Sequence, residues 1–170
     1  MKYFLVEVNE NYIAPEPMGW HGIIDKKTLS MKKTYEMPKH LLFYINKHMQ
    51  MVFTDVITFP CFMVSEMVRD VIKKYEPYVY FVRIILFDKE QKKSMAYYIP
   101  FLDKVECLKK NMEERRYNRQ LSVKKESIEE KVIVEIEDTD GLHVIMRLDL
   151  VESILRRGAV GIGLKEVSVI

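Results

Sequence analysis

Residues 63–102 read MVSEMVRDVIKKYEPYVYFVRIILFDKEQKKSMAYYIPFL, and this stretch decides the fold class. Ser65 is a favoured helix N-cap, and Glu66 puts negative charge in the first turn. Met67, Val68, Val71 and Ile72 fall on one apolar stripe that ends at Lys73 and Lys74. Pro77 prevents continuation. The period then changes: Tyr78 to Phe87 is apolar on both faces apart from Arg83, as a central strand would be. Asp88 to Lys93 is a polar connection, after which Ser94 to Leu102 returns antiparallel. Pro100 has no backbone N–H to donate, so it demotes the end of that strand to an edge or bulge position.

Toward the N-terminus, Lys2 to Asn9 (KYFLVEVN) is rich in aromatic and β-branched residues and predicts an opening strand. From Glu10 to about Pro38 the pattern weakens under Pro15, Pro17, Gly19, Gly22 and Pro38, which predicts a long loop or a few short strands with Trp20 pinned beneath. Lys39 to Ile45 is either a strand or a short helical turn, because periodicity does not settle runs of this length. Met51 to Phe59 alternates imperfectly. Toward the C-terminus, Asp103 to Lys131 is charged, with Arg115, Arg116 and Arg119 among several Glu residues, and predicts helical turns on a solvated surface. Val132, Val134 and Ile136 alternate with Glu135 and Glu137 as in a half-exposed strand. Asp138-Thr139-Asp140-Gly141 is turn chemistry, so Leu142 to Arg147 completes a hairpin. A second helix spans about Asp149 to Arg157, with Leu150, Val151, Ile154 and Leu155 inward and Gly158 as its stop, and Val160 to Val169 closes as a strand.

The expected architecture is α+β: mainly antiparallel twisted sheets with two principal helices, about 65–75 and 149–157, packed on them. One domain is expected over 1–170, with a looser division between an irregular region 1–50 and a strand-helix-strand core 51–170. Residues 67–74 (MVRDVIKK) match residues 150–157 (LVESILRR) in their apolar and basic positions. Any amphipathic helix with a basic last turn looks alike, so the match leaves generic helix patterning and a duplicated unit both open.

Bulk properties exclude several function classes. Hydrophobic residues make up 48% of the 170 and charged ones 31%, an ordinary globular balance. The formal charge is +2 with the two signs interspersed, which gives nucleic-acid binding no compositional support. Apolar runs are interrupted by Asp55, Arg83 or Pro100, against the roughly 20 apolar residues of a membrane span. The run after Lys2 meets Glu7 too soon for a signal peptide, so a cytoplasmic location is expected. Cys61 and Cys107 lie in apolar runs and read as small buried hydrophobes in a reducing compartment. His21, His40, His48 and His143 have no ligand spacing, and Gly161 and Gly163 precede no helix, so no metal or cofactor is expected. Ser65 lacks the glycines of a nucleophile elbow. With no catalytic constellation in view, the chain is expected to be a binding protein and not an enzyme.

Arg83 is the charge that an apolar strand has to accommodate. Its guanidinium must reach the surface or a carboxylate such as Asp55, Asp103 or Glu106, and it is the candidate pocket charge should the chain be a small-molecule-binding or regulatory module. Tyr75, Tyr78, Tyr80, Tyr97 and Tyr98 crowd the middle hairpin, some as core and some as surface suited to protein contact.

The order Asp55, Pro60, Ser65 opening SEMVRDVIKKYEP, then YFVRIIL, then YYIPFLDKVECL, with the closing HVIMRLDLVESILRRGAVGIGLKEV, resembles a bacterial family. That family was first catalogued as a domain of unknown function and later grouped with the immunity proteins of polymorphic toxin systems. The similarity covers about Met51 to Val167. It departs at Val105-Glu106-Cys107-Leu108-Lys109, where members often carry a second acidic residue at the last position. The resemblance implies an intracellular inhibitor that neutralises a cognate toxin by complex formation. It carries no catalytic residue across, and it leaves the oligomeric state open. Under it, the acidic run Glu126, Glu129, Glu130, Glu135, Glu137, Asp138 and Asp140 is the candidate partner-binding surface.

Overall fold

Ser65 does cap a helix. In the computed structural model its side chain accepts the Val68 N–H at 3.4 Å, and helix α2 (Glu66–Tyr75) buries Val68, Val71 and Ile72. The structure describes residues 1–31, 33–46, 49–106, 121–138 and 141–170. Its other helices are α1 (Lys26–Met31), the single turn α3 (Lys125–Ile128) and α4 (Leu148–Leu155). Gly158, with φ +75°, ends the turn after α4 as a left-handed stop, its N–H donating to the Leu155 carbonyl.

The described strands form two sheets. They are β1 (Tyr3–Val8), β2 (His40–Tyr44), β3 (Val56–Ile57), β4 (Met63–Ser65), β5 (Tyr80–Asp88), β6 (Lys93–Phe101), β7 (Lys104–Glu106), β8 (Ser122–Val123), β9 (Ile133–Asp138), β10 (Gly141–Arg147) and β11 (Ile162–Val169). One sheet has the order β2-β5-β6-β4-β3 and the other β7-β9-β10-β1-β11-β8. Antiparallel ladders dominate, and three edge pairings are parallel: β2 with β5, β8 with β11 and β7 with β9.

The topology bears directly on the matched helix sequences. In the first sheet β4 leads through α2 to β5, and β6 lies antiparallel between them. In the second, β10 leads through α4 to β11, and β1 lies antiparallel between them. Outside these, β3 pairs antiparallel with β4 as β9 does with β10, and β2 runs parallel to β5 as β8 does to β11. Five strands and one helix therefore correspond in position and direction. The N-terminal strand β1 takes, in the second sheet, the place that β6 takes in the first.

A shared core joins the two halves: Val56, Val64 and Tyr98 from the first sheet and Val6, Val144 and Met146 from the second close over α2 and α4. A second cluster fills the inner face of the first sheet, where Val82, Ile84, Leu86, Tyr97 and Ile99 meet Ile24, Met37, Phe43 and Ile45. A third lies on the far face of the second sheet, with Tyr3, Val134, Ile136 and Ile145 packed under Val123 and Ile128.

Several expectations change on this frame. Glu10 to Pro38 contains α1, which sequence reading missed although Asp25 marks its start: the Thr28 N–H donates to the Asp25 carboxylate at 2.9 Å. Lys39 to Ile45 resolves as a strand, the parallel edge β2. β5 is central but buried on one face only, through Val82, Ile84 and Leu86, while Phe81, Ile85 and Phe87 stay half-buried and Arg83 is exposed. Pro100 fits its expected place, because β4 pairs with β6 only at Tyr97 and Tyr98 and leaves the flank at Pro100 open. Of Asp103 to Lys131, the described parts are β7, β8 and α3. Arg115, Arg116, Arg119, Cys107 and His48 lie outside the described residues.

Candidate functional site

Two surface features gather side chains of functional chemistry. The first is a cleft where the ends of both sheets meet α1. Register builds its floor: Glu135 on β9 stands opposite Lys104 on β7 and Val144 on β10, so the three side chains share a face. The Glu135 N–H donates to the Asp103 carbonyl at 2.9 Å, which holds the strand at this point. The facing wall comes from Lys26 and Leu29 of α1, Thr58, Cys61 and Phe62 of the β3–β4 connection, and Ile99 to Leu102 at the end of β6. The cavity measures about 90 Å³ and adjoins a second of about 210 Å³ that shares Lys26, Thr58, Phe62 and Val144 and extends to Glu7 and His143.

The electrostatics of this cleft are set by partial burial. Desolvation pushes the Glu135 carboxyl above its ordinary value, against the pull of the Lys104 and Lys26 ammonium groups and with a further push from Glu137. No direct ion pair links Glu135 to either lysine among the described residues. Cys61 is buried, and its thiol is raised first by desolvation and then by the charge of Glu135. It is therefore a protonated, unreactive wall group. Asp25, beside Lys26, is occupied in capping, accepting from the Gly22 and Thr28 N–H groups and the Thr28 hydroxyl. In the adjoining cavity Glu7 is paired with Lys165.

The second feature is the outer face of the first sheet at β2 and β5. The parallel register aligns His40 with Arg83, Leu42 with Ile85 and Tyr44 with Phe87. Helix α2 packs at the β4–β6 end of this face, where Arg69 lies 4.1 Å from the centre of the Tyr98 ring. At the other end Leu42 remains 57% exposed and Tyr44 39%. Tyr44 meets Phe87 edge-on at 5.8 Å, and the Lys89 ammonium lies 3.9 Å from the Tyr44 ring centre. Apolar side chains with a cationic rim thus form one continuous strip.

The predicted residues divide differently. Glu126, Glu129 and Glu130 are exposed on and after α3, whose Ile128 packs under the far face of the second sheet. Glu135 and Glu137 project from the opposite face of that sheet, because Val134 and Ile136 occupy the first. The acidic run is therefore split between two sides and does not make one patch. Asp138 closes the hairpin by pairing with Gly141, while Asp140 lies outside the described residues. Arg83 is exposed, in register with His40 and Tyr98, so its guanidinium keeps its water and needs no buried carboxylate. The three acids named for it sit elsewhere: Asp55 is engaged by Ser65 and Val160, Asp103 pairs with Lys131 at 2.9 Å, and Glu106 is exposed on β7. Arg83 belongs to the outer strip and does not line the cleft. Lys26 and Lys104 were missed, because no local pattern brings an α1 lysine to a β7 lysine.

Among the described residues no His, Cys, Asp and Glu side chains gather as a metal-ion site, and no helix is long and apolar enough to cross a membrane. No protein-family model matches the chain, and a search of curated protein sequences finds no match either.

Proposed function

We propose that the chain acts by binding another protein, and that it is an immunity-type inhibitor neutralising a toxin by complex formation. The observation that carries the binding role is the outer strip of β2 and β5. Leu42, Tyr44, Ile85 and Phe87 are left partly exposed side by side, where an isolated sheet face would be expected to alternate outward polar residues. Contiguous exposed apolar area rimmed by polar groups marks interaction surfaces, and tyrosine and arginine are the side chains such surfaces favour. A stable complex buries about 800 Å² on each partner, so the strip serves as the centre of a larger contact. The cationic rim of Arg83 and Lys89 favours a partner with acidic groups around an apolar centre. The toxin-neutralising part of the reading rests on the sequence resemblance.

Co-expression with a cognate toxin tests it. Growth is expected to be restored by the parent chain, and the two proteins are expected to copurify as a stoichiometric complex. Leu42→Asp is expected to abolish both effects, whereas Glu126→Ala, Glu129→Ala and Glu130→Ala together leave them intact. Absence of rescue and of a complex would refute the inhibitor role. Loss of rescue only in the triple variant would move the contact to the acidic surface.

A further inference from the structure

The likeness of residues 67–74 and 150–157 is a motif that the binding role leaves without a purpose, and the hydrogen bonds of the two sheets carry it further. Register fixes which residues are equivalent: Tyr98 pairs with Val64 and Arg83, and Phe4 pairs with Met146 and Glu166. Tyr97 on β6 and Tyr3 on β1 are then equivalent, and both are buried. The Tyr97 hydroxyl donates to the Thr54 carbonyl at 2.8 Å, and the Tyr3 hydroxyl to the Lys131 carbonyl at 2.6 Å. Thr54 lies two residues before Val56, the partner of Val64, and Lys131 two residues before Ile133, the partner of Met146. The acceptors are therefore equivalent too. A further pair agrees: the Ser65 N–H donates to the Asp55 carbonyl at 2.9 Å and the Arg147 N–H to the Val132 carbonyl at 2.8 Å, each from the N-cap residue of its helix. General packing rules favour similar layers, but they do not require a buried tyrosine to reach the same carbonyl twice.

We infer that the chain is a tandem duplication of one unit, circularly permuted so that the strand closing the second copy, β1, precedes the first copy in sequence, and that only the first copy carries the docking strip. In the first copy residues 88–94 (DKEQKKS) connect Phe87 to Met95. The equivalents of Phe87 and Met95 are Ile170 and Met1, so the same seven residues would join them. The copies agree inside and differ outside. Phe43 and Ile84 correspond to Val123 and Val167, and all four are buried. On the outer face Leu42, Tyr44 and Ile85 correspond to Ser122, Lys124 and Ser168, and Arg83 to Glu166. The apolar strip is thus an addition of one copy and no requirement of the repeat. Assigning that addition to docking rests on the binding role proposed above; the duplication does not.

The test joins residues 10–170 through DKEQKKS to residues 1–9, which restores the order of two consecutive copies. This permutant is expected to unfold cooperatively with Tm within about 8 °C of the parent, the cost of opening one exposed turn. A larger fall, or a transition that is no longer cooperative, would overturn the permuted order. Tyr3→Phe and Tyr97→Phe read the equivalence separately. Each is expected to lower Tm by about 3–10 °C, through a buried carbonyl left without its donor. No fall in either variant, or losses that differ more than about threefold, would overturn the equivalence. Leu42→Ser and Tyr44→Lys put second-copy residues into the strip and are expected to move Tm by less than about 3 °C. A larger loss would make the strip a structural feature. Unchanged Tm together with unchanged binding of a cognate toxin would instead refute the docking role and leave the duplication standing.

Discussion

Asp55 reinforces with hydrogen bonds the core that joins the two halves of the chain, and its removal should be among the most damaging polar substitutions. One carboxylate oxygen accepts the Ser65 hydroxyl at 2.6 Å and the other the Val160 N–H at 2.6 Å. The Asp55 backbone makes two further bonds to the same residues, its N–H donating to the Val160 carbonyl and its carbonyl accepting the Ser65 N–H, each at 2.9 Å. Asp55 thus ties the N-cap of α2 to the loop leaving α4. A hydrogen bond to a charged group contributes about 1.5–3 kcal/mol. Asp55→Ala deletes two, and the more solvent-open Val160 bond is worth the lower figure, so the expected loss is about 3–4.5 kcal/mol. For a chain of this size 1 kcal/mol shifts Tm by about 2–4 °C, which puts the expected fall at about 6–18 °C. Asp55→Asn keeps one acceptor and offers the Ser65 oxygen a donor, so it should lose roughly half as much. Urea titration and calorimetry on the three proteins measure both quantities. A loss below about 0.5 kcal/mol for Asp55→Ala, or equal losses for the two variants, would refute the clamp.

Further expectations follow from single contacts. Gly161→Ala should cost about 2–4 kcal/mol, because φ is +76° and an added Cβ would lie 2.9 Å from Thr54 Cβ and closer still to its Cγ2. Thr54 cannot yield, being fully buried with its hydroxyl donating to the Val56 carbonyl at 2.7 Å; Gly158→Ala, with nothing within 4 Å of the new Cβ, should cost only about 1 kcal/mol in the same denaturation experiment. Glu135→Gln should stabilise the protein slightly at neutral pH. The folded-state carboxyl lies above its ordinary value of 4.5, so the native state binds the proton more tightly than the unfolded one, and stability falls as pH rises from 4.5 through the folded value. The gain, below about 1 kcal/mol after solvent screening, should vanish when Tm is compared below pH 4.5, and a constant difference across pH would contradict the assignment. Arg83→Met should change stability by less than about 0.5 kcal/mol, since the side chain is exposed. A loss of several kcal/mol would reveal a buried partner.

What could be read in advance was local. The Ser65 cap, the apolar stripe of α2, the β9–β10 hairpin and the Gly158 stop each depend on residues within a few positions of one another, and each appears where the pattern places it. Strand partnership does not have that property. Nothing in KYFLVEVN specifies that β1 inserts between β10 and β11, and nothing in KHLLFYI selects a parallel neighbour. The α2/α4 likeness was legible as sequence, but its meaning required the two matching strand orders. The candidate site failed for a related reason. Consecutive carboxylates looked like one patch, yet strand alternation and the crossing of α3 to the far face separate them. Glu135 alone reaches the cleft, where its companions come from α1 and β7. The outer strip was partly visible in Arg83, but a run that reads as buried on both faces reveals its exposed half only in the folded sheet, where α2 covers Phe81 and leaves Ile85 and Phe87 beyond it.

The account turns on whether the β2–β5 strip meets a partner. Calorimetric titration of a cognate toxin with the parent chain and with Leu42→Asp and Tyr44→Ser tests this most directly, with Tm recorded for each variant. The account predicts unchanged Tm and a weakening of about 30-fold or more in either variant, as for a residue at the centre of an interface. Binding that is as tight in both variants as in the parent would contradict it.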